Sequence, residues 1–185
     1  RTSLVSDPAD GKIPFTPEGK TIRERSRARY GKGPYLSYTD LDTGERCITD
    51  GLPIYYGGYN NNYQIIQTPG QVTIYSEMAH QTRTVPITKR AMLPKDVTQW
   101  MGDSVGHWEG ETLVIESSNI RYNEHSHFGT QYDGMTDENL RVTERFTRTS
   151  AETILYEFTV DDPETWTKPW TAQLVMGPAP GEIYE

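Results

Sequence analysis

The sequence predicts an all-β protein: an antiparallel meander of about eight strands closing into a lipocalin-like barrel, preceded by an irregular N-terminal arm with one short helix. Three observations predict it. From Asn62 onward apolar residues recur with a period of two, the repeat of half-buried strands. Short turn signals separate these runs, which favours antiparallel neighbours over helix-linked parallel ones. Residues 1–61 hold five of the prolines and eight of the glycines, a density of breakers that leaves room for one helix at most.

The chain therefore divides into an arm, 1–61, and a β domain, 62–185. In the arm, Thr16-Pro17-Glu18 is a helix start: Thr caps, Pro suits the first helical position and Glu suits the positive end of the dipole. Gly31 ends this helix after Tyr30. Lys20, Arg23, Arg25, Arg27, Arg29 and Lys32 stand there against Glu24 alone, a net +5 that leaves −13 for the rest. That segment reads either as a solvated face or as a cationic arm docking on an acidic body, its own or a neighbour's.

In the β domain Tyr63–Gln67 alternates up to the turn Thr68-Pro69-Gly70. Gln71–His80 follows, with Val72, Ile74, Ser76, Met78 and His80 on one face. Thr82–Thr88 is a poorer strand, because Pro86 marks an edge or a bulge. Leu93–Met101 reads as one or two helical turns. Val105–Glu109 and Thr112–Ser118 form a hairpin through Glu109-Gly110-Glu111. Asn139–Thr149 and Thr153–Asp161 form the clearest hairpin, and Trp170–Met176 is a last strand after Pro169. Closure of such a meander into a barrel removes exposed edges.

Charge and composition exclude several classes. Lys plus Arg is 18 against 26 Asp plus Glu, a formal charge of −8, the wrong sign for nucleic acid. No run of apolar residues approaches the 18 or so that would span a bilayer. A single cysteine, Cys47, makes neither a disulfide framework nor a multi-cysteine zinc site. It reads as a buried small hydrophobe or as a thiol whose partner lies outside the sequence. The sequence begins at Arg1, so it reads as a processed product or an excerpt, with no targeting segment left to interpret. Scarce Lys (six residues) with abundant Tyr, Thr, Asn and Gly fits an exported bacterial protein, secreted or periplasmic.

Several motifs resemble a family of uncharacterised exported proteins from environmental bacteria. They are Gly102-Asp103-Ser104, Gly106, Trp108-Glu109-Gly110, Thr112-Leu113-Val114, Glu144-Arg145-Phe146, Tyr156-Glu157-Phe158-Thr159-Val160, Asp162-Pro163 and Trp166-Thr167-Lys168-Pro169-Trp170-Thr171. Asn60–Ile65 and Arg46-Cys47-Ile48 fit the same pattern, so the likeness covers most of the chain. It implies export and a single fold rather than a chemistry, and it implies a further cysteine beyond Glu185. The sequence departs from the family pattern around His125-Ser126-His127.

Strand parity then turns polar groups inward. In Leu140–Phe146 the even positions are apolar except Glu144, so this carboxylate points with Leu140, Val142 and Phe146. Buried, it needs a cation, donors or a proton. The same parity sends His80 inward with Val72, Ile74 and Met78. His80 and Glu144 are thus candidates for an acid–base pair or a ligand anchor, or for a structural network with each other or Arg83. Arg83, His107, Trp108, Tyr156 and Trp170 complete the expected ligand-contacting set. His107 and Trp108 suit a barrel mouth, or His107 is a solvated histidine at a strand end. Trp166 and Trp170 share a face, and Tyr55, Tyr56, Tyr59 and Tyr63 cluster; such aromatics stack on planar ligands or pack the arm on the barrel. Asp103 is expected to bond its own backbone in a turn rather than to act as a base.

His125 and His127 have the spacing at which two strand side chains point the same way and could share a metal, with Glu124, Asp133 or His107 as a third ligand, but no metal site is assigned. No cofactor is expected, and no G-x-S-x-G, P-loop, Rossmann or H-E-x-x-H motif is present. The resulting expectation is an exported barrel holding a small apolar or aromatic ligand inside, with Glu144 and His80 as polar anchors. Its alternatives are an assembly subunit whose arm contacts a neighbouring chain, and a cofactor-free lyase, isomerase or hydrolase using the His/Glu pair.

Overall fold

A computed structural model describes residues 4–29, 32–41, 43–54, 59–121, 139–179, 181 and 183. Its elements in chain order are β1 (Val5–Asp7), α1 (Pro17–Arg29), β2 (Tyr63–Thr68), β3 (Gln71–Ser76), β4 (Thr82–Pro86), β5 (Asp103–Glu109), β6 (Thr112–Ser118), β7 (Arg141–Arg148), β8 (Ile154–Asp161) and β9 (Trp170–Met176). Every strand pair is antiparallel. The strands form a six-stranded sheet, β1-β9-β8-β7-β6-β5, and a three-stranded sheet, β2-β3-β4. Closure into one ring is not seen among the described residues. β4 and β5 meet instead at a single parallel bridge, Ile87 to Gly106, with the Thr88 N–H donating to the Gly106 carbonyl at 3.1 Å.

Gly106 lies at that contact. A Cβ there would lie 2.8 Å from Ile87 Cδ1 and 3.1 Å from Val85 Cγ1, so any larger residue would push these side chains aside where the two sheets meet. The turns follow the sequence signals. Thr68 faces Gln71 across Pro69-Gly70, and Glu109 faces Thr112 across Gly110-Glu111. Gly70 and Gly110 take φ +80° and +60°, the left-handed region that tight hairpin turns require.

The core lies between the inner faces of the sheets. Val72, Ile74 and Val85 of the small sheet belong to one buried cluster with Leu113, Ile115, Val142, Phe146, Tyr156, Phe158 and Val160 of the large one. Burying each such side chain stabilises by roughly 1.5–3 kcal/mol. The arm is sewn onto this body. β1 pairs with β9, Leu52 and Ile54 join the core cluster, and Phe15 bridges to Trp166. Thr16 caps α1 as expected, its Oγ1 accepting the Gly19 N–H at 2.9 Å, and the same hydroxyl donates to the Glu164 carbonyl at 2.7 Å.

Two expected elements differ. The segment 93–101 is not helical. Its carbonyls are taken by a side chain: Asn119 Nδ2 donates to Leu93, Pro94 and Val97 at 2.9, 2.8 and 3.2 Å, which leaves an irregular loop. The strand expected to run to His80 stops at Ser76. There the Ser76 N–H donates to the Gln81 carbonyl at 2.8 Å, closing a turn whose Ala79 and His80 have φ +56° and +48°.

Candidate functional site

The break at Ser76 decides the fate of His80. Alternation cannot carry through left-handed residues, so Val72, Ile74 and Ser76 are buried while His80 is exposed, its ring edge-on to Tyr75 at 6.0 Å. This corrects the inward histidine. Glu144 behaves as parity requires and is 0% exposed. Its partners are Arg83 Nη2 at 2.5 Å, the Tyr156 hydroxyl at 2.7 Å and the Ile54 N–H at 3.4 Å. His80 is not among them, so the structure does not assemble the His/Glu pair.

Each member of this network comes from a different place. Arg83 lies on β4 of the small sheet, Glu144 and Tyr156 on β7 and β8 of the large one, and Ile54 in the arm. Its N–H also reaches Tyr156 Oη at 3.1 Å. Arginine keeps its charge at any accessible pH, so Glu144 faces a permanent cation. Burial, followed by the Glu144 charge and its hydrogen bond, raises the Tyr156 hydroxyl well above its ordinary pKa; the phenol therefore stays protonated and donates. Both Glu144 oxygens are engaged within the core, which is the arrangement of a structural tie.

The remaining expected residues separate. Trp170 is 2% exposed and packs edge-on against Trp166 and Phe158 at 5.8 Å each; it is core, not a ligand contact. Tyr156 is likewise fully buried. His107 lies on β5 facing away from the core, where its Nε2 meets Glu109 Oε1 at 3.2 Å, so it does not line a mouth. Arg145, first, and His107 hold the Glu109 carboxyl below its usual pKa. Cys47 is exposed, which removes the buried reading. His125, His127, Glu124, Asp133, Tyr55 and Tyr56 lie outside the described residues. Among the described residues no cluster of three His, Cys, Asp or Glu side chains is placed to hold a metal, and no helix is long and apolar enough to cross a membrane.

Trp108 is placed differently. It points to the inner side of β5, is 43% exposed, and stands at a cleft of about 690 Å³ between the sheets. Ile65, Val72 and Ile74 form one wall of the cleft; Leu113, Phe146 and Ile154 form the other. Glu111 and Arg148 sit at the rim. Arg148 donates to the Ser150 and Ala151 carbonyls at 3.2 and 2.9 Å and so fixes the β7–β8 loop. Phe146 connects this cleft to the buried network, its ring 4.7 Å from that of Tyr156.

Sequence reasoning missed Arg90. Its Nη1 and Nη2 grip Asp103 at 2.7 and 2.5 Å, and Asp103 also accepts the Leu93 N–H at 2.8 Å. Asp103 thus anchors the 90–93 loop, and the backbone of the adjacent Ser104 also favours its charged form. The Arg90 bond, first, holds its carboxyl below the ordinary carboxylate pKa, against the effect of burial. No protein family, curated protein or solved structure matches the chain.

Proposed function

We propose that this is an exported bacterial protein of the family its motifs resemble, and that it binds a small apolar or aromatic molecule in the cleft beside Trp108. In this reading the two sheets serve as walls of a lipocalin-like barrel joined at Ile87–Gly106. The ligand enters at the end framed by Trp108 and the β7–β8 loop. The observation that carries the reading is a large, half-exposed indole beside a cleft between the sheets with apolar walls. Exposed apolar clefts of this kind are where small ligands bind. Glu144 and Arg83 support the floor rather than touch the ligand, and no reaction is assigned to them.

The test is fluorescence titration with N-phenyl-1-naphthylamine, a neutral aromatic probe. The reading predicts saturable binding to the wild type and about tenfold weaker binding to Trp108→Ala, from lost stacking and apolar contact. Absence of saturable binding, or equal affinity in the variant, contradicts it.

A second reading, self-association through the arm, draws on Leu36 and Tyr38, which are 87% and 73% exposed. Light scattering decides it: a monomer at high concentration and low salt removes this reading.

A further inference from the structure

At its other end β5 borders a second opening. Beyond the Ile87–Gly106 bridge, β4 and the start of β5 enclose a cleft of about 470 Å³. Its lining includes Thr82, Arg83 and Thr84 on one side, with Trp100, Asp103 and Arg121 on the other. Among the described residues three arginines, Arg83, Arg90 and Arg121, and one carboxylate, Asp103, line it, in a chain whose net charge is −8. Asp103 is already committed to Arg90 and the Leu93 N–H.

Arg83 is the informative group. It is 5% exposed and spends Nη2 on Glu144. Nε and Nη1, with three N–H groups between them, are buried and have no hydrogen-bond partner among the described residues. A buried donor left unmatched is costly, and a guanidinium cannot relieve the cost by losing its proton. What the site calls for is an acceptor, and guanidinium donors prefer ionised oxygen. The Arg121 guanidinium lies over the Trp100 ring at 5.2 Å, which places a cation beside a flat apolar surface.

We propose that this cleft is a binding site for a small aromatic carboxylate. The carboxylate oxygens accept from Nε or Nη1 of Arg83, Arg121 adds attraction at the entrance, and the Trp100 ring borders the apolar body. The site is distinct from the Trp108 cleft and does not depend on the reading given for it.

The experiment is a titration of the ¹⁵N-labelled full chain with sodium benzoate at fixed ionic strength, following the Arg83 Nε–H resonance. The proposal predicts a saturable shift. Arg121→Gln is expected to weaken benzoate binding about tenfold, while Lys168→Gln, the same charge change at a remote exposed position, leaves it unaltered. Arg83 variants strand a buried carboxylate and risk unfolding, so Arg121→Gln carries the test. A resonance that does not move with benzoate overturns the site, as does an Arg121→Gln titration identical to wild type. Inorganic phosphate displacing benzoate at equal concentration overturns the carboxylate assignment.

Discussion

Glu144 illustrates how one inward acidic side chain is made tolerable. It sits at 0% exposure, where an isolated carboxylate would take up a proton, and the fold answers with one cation and two neutral donors. Its position was legible because Leu140, Val142 and Phe146 leave a single polar exception in the pattern. His80 was not, because nothing in period-two counting signals that Ala79 and His80 adopt positive φ. Asp103 gives a pH prediction at this scale. Its folded pKa lies below the unfolded value of about 4, so its contribution is fully present above that value and is lost as pH falls through the folded one. Asp103→Asn should therefore lower stability near neutral pH by about 1–3 kcal/mol and flatten the acid limb of the profile. Denaturant melts over a pH series check it; a parallel acid limb in the variant contradicts the assignment.

Elements here are placed by specific contacts as much as by propensity. Thr16 serves α1 as a cap and also bonds to Glu164, and at Gly19 a Cβ would come within 2.3 Å of the Thr165 carbonyl oxygen. Helix propensity alone says that Gly19→Ala stabilises by about 1 kcal/mol. The docking geometry says the reverse, because the neighbour is backbone and cannot yield cheaply. The expected outcome is a lower melting temperature for Gly19→Ala, and a higher one would show that α1 is not held against the 163–166 turn. The cap and the hairpin turns were readable from local residue types. The loop held by Asn119 was not, since its three acceptors lie 22 to 26 residues away in sequence. Tertiary side-chain bonds of that kind leave no periodic trace.

At the scale of the molecule, two sheets and an arm share one core. The arm supplies β1 to the large sheet and Leu52 and Ile54 to the interior, although its sequence, dense in Pro and Gly, carries no hydrophobic period to announce this. Apart from β1, the strands of both sheets were anticipated, but the division into two was not, because strand patterns specify faces and leave sheet partners open. The Trp108 cleft shows the same limit: its two walls come from β2–β3 and from β6–β8, and only their apposition makes a cavity.

The account stands on the Arg83–Glu144 contact being a tie between the two sheets and not part of a reactive pair. A double-mutant cycle with Arg83→Met and Glu144→Leu measures this directly. Each single change should cost about 3–5 kcal/mol by stranding a buried charge, and the double change far less than their sum, since a matched apolar pair strands none. Additive losses, with no coupling between the two positions, would contradict it.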